Sequence, residues 1–338
     1  MIVTKTPLRL SLFCGGSDLP AFYTREDGAA LSFTIDKFTY VCLHESTSPN
    51  VRVMFDSVQE TADLSQIDHR ITQAALRYAN VDQGITVTSL SDITTRGSGL
   101  GSSSAFTVGL LLALLQTNTK FGKLYGKEFS TAPHKLAELA CEIEINRSGY
   151  NIGKQDQYAA AYGGTNLFTF HADGSVRNVD HGIRPQTILE LEKHLLLVHT
   201  GRPRQAEDML AKQTRAFLSS DQKLTLVRKN RDRAFDAVIA LLLNKVDQIG
   251  YLLHDSWMTK QSIVKEMSSP DIDAIYTRAL EAGALGGKLI GAGGGGFFVF
   301  YVPLKVRDAV KSAIEEDSLC RCMDFSFFPC GSQVILRA

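Results

Sequence analysis

The sequence lacks most of what would mark a special environment. Its 36 basic residues are cancelled by 36 acidic ones, so no net positive charge draws it to nucleic acid or to an anionic membrane, and neither is expected as a partner. One tryptophan and nine prolines in 338 residues, with no repeat or low-complexity tract, exclude fibrous and disordered classes. The longest apolar run, residues 105–115, is broken by Thr107 and is too short to cross a bilayer. The apolar stretch at 10–14 falls short of the about 7–15 residues of a secretory signal core. Six cysteines form no CxxC pair, and Cys320, Cys322 and Cys330 have no spaced histidine partner, so reduced thiols in a cytoplasmic protein are expected rather than disulfides or zinc. No GxxxxGK[ST], HExxH or GxSxG occurs, which removes P-loop NTPases, zinc peptidases of that type and serine hydrolases.

What remains is 44% hydrophobic and 21% charged, enough for one large or two medium domains with true cores. Residues 2–14, 29–44, 84–93 and 165–170 read as strands from their β-branched and aromatic content. Residues 105–116 read as a buried helix. A second helix, 134–146, puts Leu136, Leu139, Ala140 and Ile143 on one stripe. The polar stretch 171–190, with Pro185, is the candidate linker. Beyond it come a strand at 194–200, three helical segments over 205–266, a helix at 271–282, a strand at 297–302, a helix at 304–316 and strands at 323–337. The expectation is an α+β protein of two lobes, 1–185 and 186–338.

Three glycine-rich segments stand out. In GSGLGSSSA, positions 97–105, glycines let backbone amides approach a ligand at the start of a helix, and three serines add hydroxyls. A capped turn would need only one serine, so phosphate binding is favoured. Eight of the 27 glycines fall between positions 283 and 296. Gly291, Gly293 and Gly296 there match GxGxxG, but a strand follows instead of a helix, so a dinucleotide site is not indicated. Such a loop can pack on a phosphate, a substrate or the 97–105 loop. In PLRLSLFCGGSDLPAFY, positions 7–23, a strand end presents Ser17 and Asp18, which suit sugar hydroxyls, although Gly-Ser-Asp-Pro is also a common turn.

In this order and spacing the three segments resemble the motifs of the GHMP kinase superfamily. The stretches TIDKFTYV (34–41), GKQDQYAAAYGG (153–164) and HTGRPRQAEDML (199–210) add a likeness to its heptose 7-phosphate kinases and, in the first motif, to L-fucokinases. The resemblance implies a ribosomal-S5-like first lobe, a ferredoxin-like second lobe and an active site in the cleft between them. It implies ATP as co-substrate and Mg²⁺. The acceptor would be D-glycero-D-manno-heptose 7-phosphate, phosphorylated on its anomeric C1 hydroxyl. Another sugar of the fucose or free-heptose type, or a binding protein without catalysis, are the alternatives.

The resemblance also distributes roles. Asp156 would take or orient the proton of the attacking hydroxyl, with Lys154 and Arg9 beside it. Gly97, Gly99, Leu100, Gly101, Ser102, Ser103 and Ser104 would cradle the ATP phosphates. Mg²⁺ would sit on Ser103 and Glu144. On a helix of about 100° per residue Glu144 flanks the apolar stripe, while Glu138 and Glu142 lie opposite. Gly15, Gly16, Ser17 and Asp18, with Gly293, Gly294 and Gly295, would line the sugar site. Arg202 and Arg204 are the candidates for the sugar's phosphate, because guanidinium forks suit it. A small-molecule sugar phosphate is the partner expected, and the chain is expected to be a monomer or a homodimer.

Overall fold

A computed structural model describes residues 1–93, 97–202 and 206–338. Its first sheet is built from β1 (Ile2–Phe13), β2 (Gly28–Glu45), β3 (Val51–Met54), β4 (Val58–Thr61), β5 (Ile85–Ser91), β6 (Thr165–Phe170) and β7 (Val176–Val179). The second is β8 (Leu195–His199), β9 (Gly286–Leu289), β10 (Phe297–Tyr301) and β11 (Arg321–Met323), in the order β11-β8-β10-β9. The final strand, β12 (Gln333–Arg337), returns to the first sheet and pairs with β1. Among the described residues the first sheet therefore runs β12-β1-β2-β5-β3-β4, with β6 and β7 branching from β2.

Twelve α-helices accompany the sheets among the described residues. They are α1 (Pro20–Tyr23), α2 (Arg70–Ala79), α3 (Ser102–Leu115), α4 (Lys120–Ser130), α5 (Pro133–Cys141) and α6 (Gln155–Tyr162), then α7 (Pro185–His194), α8 (Ala206–Ser219), α9 (Asp221–Leu242), α10 (Gln248–Ile263), α11 (Pro270–Glu281) and α12 (Arg307–Glu315). The helix α3 is buried along its whole length from Ser104 to Leu115. With no polar face, it fits only inside the molecule, and it lies between β1 and β2 on one side and α2, α4, α5 and α6 on the other.

The second sheet shows the period-two logic of a strand covered on both faces. Leu195, Leu197, Val299 and Tyr301 join the large core shared with β1, β2 and α9. Leu196, Val198, Phe298 and Phe300 join Trp257 and the helices α11 and α12 on the other face. The two lobes thus share one continuous core.

The segment 171–190 does not form a bare linker. It holds β7 and the start of α7, because Val176 and Leu191 are buried and anchor it. The helix expected over 134–146 also changes character. It is α-helical to Cys141 and then π-helical over Glu142–Arg147, where Ser148 N–H donates to Ile143 O, five residues back, at 2.9 Å.

Candidate functional site

The chain builds a cavity of about 270 Å³ where β1 of the first sheet meets the last of the glycine loops, which in chain order are the first (15–18), the second (97–105) and the third (291–296). Two helix starts converge on it. The α3 start is capped by Gly101 and the α6 start carries Asp156 in its first turn, so both present N–H groups and positive dipole ends.

The second glycine loop explains its own composition. Gly97, Gly99 and Gly101 all hold φ between 71° and 83°, a left-handed conformation that side chains disfavour. Alternate glycines therefore turn Leu100 onto the strand below while Ser98 lines the cavity. Leu100 is fully buried and its carbonyl accepts from Arg9 N–H at 2.9 Å, so it is a fastener of the loop and does not line the cavity. The third loop rests on the second. A Cβ on Gly296 would lie 2.5 Å from Ser98 O, and Thr200 clamps Gly296 O from N–H and Oγ1 at 2.9 and 3.0 Å.

At the centre, Arg9 and Asp156 form a two-pronged ion pair. Arg9 Nε donates to Asp156 Oδ1 at 2.7 Å and Nη2 to Oδ2 at 2.6 Å, while Nη1 donates to Gly99 O at 2.5 Å. Arg9 is buried, so its planar fork fixes the carboxylate's orientation beneath Gly101. Each carboxylate oxygen keeps lone-pair capacity for a further donor.

At the α3 end sits Glu144, wholly buried on the π-helical turn. Ser103 Oγ donates to Oε1 at 2.5 Å, and Ser104 Oγ and Gln157 Nε2 donate to Oε2 at 2.8 and 2.7 Å. Burial pushes its carboxyl up to about 7 against those three donors. The wider turn aims Glu144 inward, and such turns recur at functional sites. Among the described residues no group of three or more acidic, histidine or cysteine side chains is placed to hold a metal ion. One carboxylate and one hydroxyl still match Mg²⁺, which takes few protein ligands and fills its shell with phosphate oxygens and water. Ser103 and Glu144 therefore fit that ion by the chemistry of their donors.

At the first-loop end Asp18 is buried, accepting from Cys14 Sγ at 3.1 Å and Gln155 N–H at 3.3 Å. Burial raises its carboxyl above the usual range and raises the Cys14 thiol strongly, so the thiol is neutral. Gly15, Gly16 and Asp18 line the cavity. Ser17 does not: its hydroxyl donates to Ala29 O at 2.8 Å and tethers the loop to β2.

Five other expected residues lie elsewhere. Lys154 points away from Asp156, donating to Gly174 O at 2.5 Å and leaning over Tyr23. Arg202 turns to Asp317 at 2.7 Å and to Thr200 O at 2.8 Å, so it braces the end of β8 and does not line the cavity. Gly293 abuts Met267 and Gly294 N–H donates to Met267 O at 2.8 Å. From this loop Gly291 and Ala292 form the wall, while Gly293, Gly294 and Gly295 run behind it. Arg204 lies outside the described residues.

Sequence reading missed Ser11, Gln155, Gln213, Lys260 and Lys288, all of which line the cavity. Ser11 Oγ donates to Gln155 Oε1 at 2.6 Å, linking β1 to α6. Gln155 had a signal, since it sits inside the quoted KQDQ. Lys288 had one too, heading the glycine-loop run KLIGAGGGG. Nothing marked Gln213 or Lys260.

Three comparisons with known proteins bear on this geometry. Residues 69–164 match the GHMP kinases N terminal domain and residues 234–317 match the GHMP kinases C terminal domain, together over half of the chain. The chain is 29% identical to the D-glycero-alpha-D-manno-heptose 7-phosphate kinase of Campylobacter jejuni, across 96% of each protein. Its fold is similar to the crystal structure of a D-glycero-D-manno-heptose 1-phosphate kinase from Bacteroides thetaiotaomicron, with a TM-score of 0.79, 24% identity and full coverage of both chains. A putative sugar kinase from Campylobacter jejuni superposes with a TM-score of 0.76 at 26% identity, over 98% of this chain and 97% of that one. With two glycine loops stacked over a forked Arg–Asp pair, and both halves of the family matched in order, the chain belongs to the GHMP kinases, ATP-dependent phosphotransferases with an alcohol group as acceptor.

Proposed function

We propose that the enzyme transfers the γ-phosphoryl group of ATP to the anomeric C1 hydroxyl of D-glycero-D-manno-heptose 7-phosphate, giving the 1,7-bisphosphate. The observation that carries this reading is the Arg9–Asp156 fork, set between a loop suited to sugar hydroxyls and a loop suited to phosphates. The 29% identity to a heptose 7-phosphate kinase over nearly the full length of both chains supports the choice of acceptor.

The chemistry needs positioning and charge neutralisation more than covalent help. Asp18 and the amides of Gly15 and Gly16 hold ring hydroxyls at one end. The amides of the second loop and the α3 dipole hold the ATP phosphates at the other. Asp156, held by Arg9, accepts the C1 hydroxyl proton as the O1–Pγ bond forms and the Pγ–O bond to ADP breaks. Mg²⁺, held by Ser103 and Glu144, would supply neutralisation of phosphate charge when bound.

An ADP-release assay over a sugar panel tests the reading. Turnover with heptose 7-phosphate at least tenfold above that with fucose or free heptose is expected. Strong turnover of another sugar with none of the 7-phosphate would overturn it.

A further inference from the structure

The cavity wall holds a cation that the chemistry above does not use. Lys288, on β9, is 3% exposed, and its ammonium donates to Leu12 O at 2.9 Å. The charged side chains that act on it are Arg9 and Arg233, both of its own sign, and the Cys14 thiol, which is neutral. No carboxylate stands within ion-pair distance of it among the described residues. Arg9 has spent its own charge on Asp156. A buried, unbalanced ammonium is costly, and folds retain one where a ligand supplies the missing charge.

The contrast with Lys260 sharpens this. That lysine is also buried in the wall, but its ammonium donates to Leu289 O and Gly291 O and so braces the third glycine loop. Among the described residues the Lys288 ammonium has a single carbonyl.

Position selects the anion. Gly101 lies over Arg9 and Asp156, which puts the ATP loop at that end of the cavity. Leu12 lies three residues further along β1, about 10 Å at roughly 3.4 Å per residue. That is on the scale of a sugar ring with a phosphorylated arm. We propose that Lys288, in the cavity wall, receives the phosphate that the acceptor sugar already carries. The proposal rests on the reading that the acceptor is a sugar phosphate, and it replaces Arg202 in that role.

The test compares wild type, Lys288→Met and Lys288→Arg with heptose 7-phosphate and with free heptose. In Lys288→Met the KM for the 7-phosphate should rise about 10- to 100-fold, the loss of a charge-assisted hydrogen bond. The rise should appear in KM and not in kcat, and not in the KM for ATP. Lys288→Arg should recover most of it. The melting temperature of Lys288→Met should hold or increase, because methionine replaces a buried charge at similar volume. An unchanged 7-phosphate KM, or a rise confined to the KM for ATP, overturns the proposal while leaving the substrate reading standing. Wild-type turnover of free heptose and none of the 7-phosphate overturns both.

Wild type alone gives an independent readout should the variants fold poorly. Burial, with the like charges of Arg9 and Arg233, brings the Lys288 ammonium down to about 8. The 7-phosphate KM should therefore climb as pH rises through about 8, while that of free heptose does not follow. Parallel profiles for the two sugars would overturn the proposal.

Discussion

The two ends of the cavity handle buried charge in opposite ways. At the α3 end Glu144 is fully enclosed but receives three hydrogen bonds from Ser103, Ser104 and Gln157. At the first-loop end Lys288 is equally enclosed and has one carbonyl. Between them Arg9 and Asp156 cancel each other. Neutral donors around an acid keep a place ready for a cation, and a bare cation keeps a place ready for an anion. The matched pair in the middle needs no ligand to be stable, which leaves it free to orient the reacting atoms.

Removing the middle should cost most. Asp156→Asn is expected to lower kcat about 10²- to 10⁴-fold, the usual range for a lost general base, with ATP affinity preserved. Steady-state rates beside a nucleotide titration check this, and near-normal kcat would mean that another group takes the proton.

Next is the acidic end. Glu144→Gln should raise the magnesium concentration for half-maximal rate about 10- to 100-fold, without lowering the melting temperature, since a buried charge is removed. An unaltered magnesium curve would take Glu144 out of the metal site and erase the contrast between the two ends.

Gly296→Ala strikes the contact that stacks the two loops. Its φ of 96° and the 2.5 Å approach to Ser98 O leave no room for a methyl group. A loss of about 1–3 kcal/mol is expected, visible as a melting point lowered by several degrees and a raised KM for ATP. A variant that melts and binds ATP like wild type would show that the loops are not locked together.

The smallest effect should come from Arg202→Ala. Because Arg202 is committed to Asp317, the acceptor KM should stay within about twofold and stability should fall by about 1 kcal/mol or less. A large rise in acceptor KM would restore Arg202 to the sugar phosphate and weaken the claim for Lys288.

Much of this architecture was visible in the sequence where composition leaves a single physical solution. The helix after GSGLGSSS had no polar face, and it is the buried α3. The strands at 2–14, 29–44 and 165–170 carry β-branched and aromatic runs, and all three are present. The short β3, β4 and the helices α2 and α4 escaped, because elements of four to eleven residues with mixed faces take their shape from neighbours. At the site, glycine and serine patterns disclosed where loops approach a ligand. Which way a side chain leaves the backbone was not written there. Lys154 and Arg202 looked as well placed as Arg9, yet they turn to Gly174 and Asp317. Glu144 was placed on the flank by regular helical geometry, and the π-helical turn carries it inward.

The pairing of β12 with β1 sets the order in which a nascent chain can finish folding. As residues leave the ribosome, β1 emerges before β2 and finds it within a few dozen residues. Its other edge waits until positions 333–337 have been made. Until then the strand that carries Arg9 has an open backbone edge, the kind that invites pairing with another chain. Deleting residues 333–338 should therefore do harm out of proportion to the few buried atoms removed. The expected symptom is aggregation during synthesis, through one of the longest-range contacts in the fold.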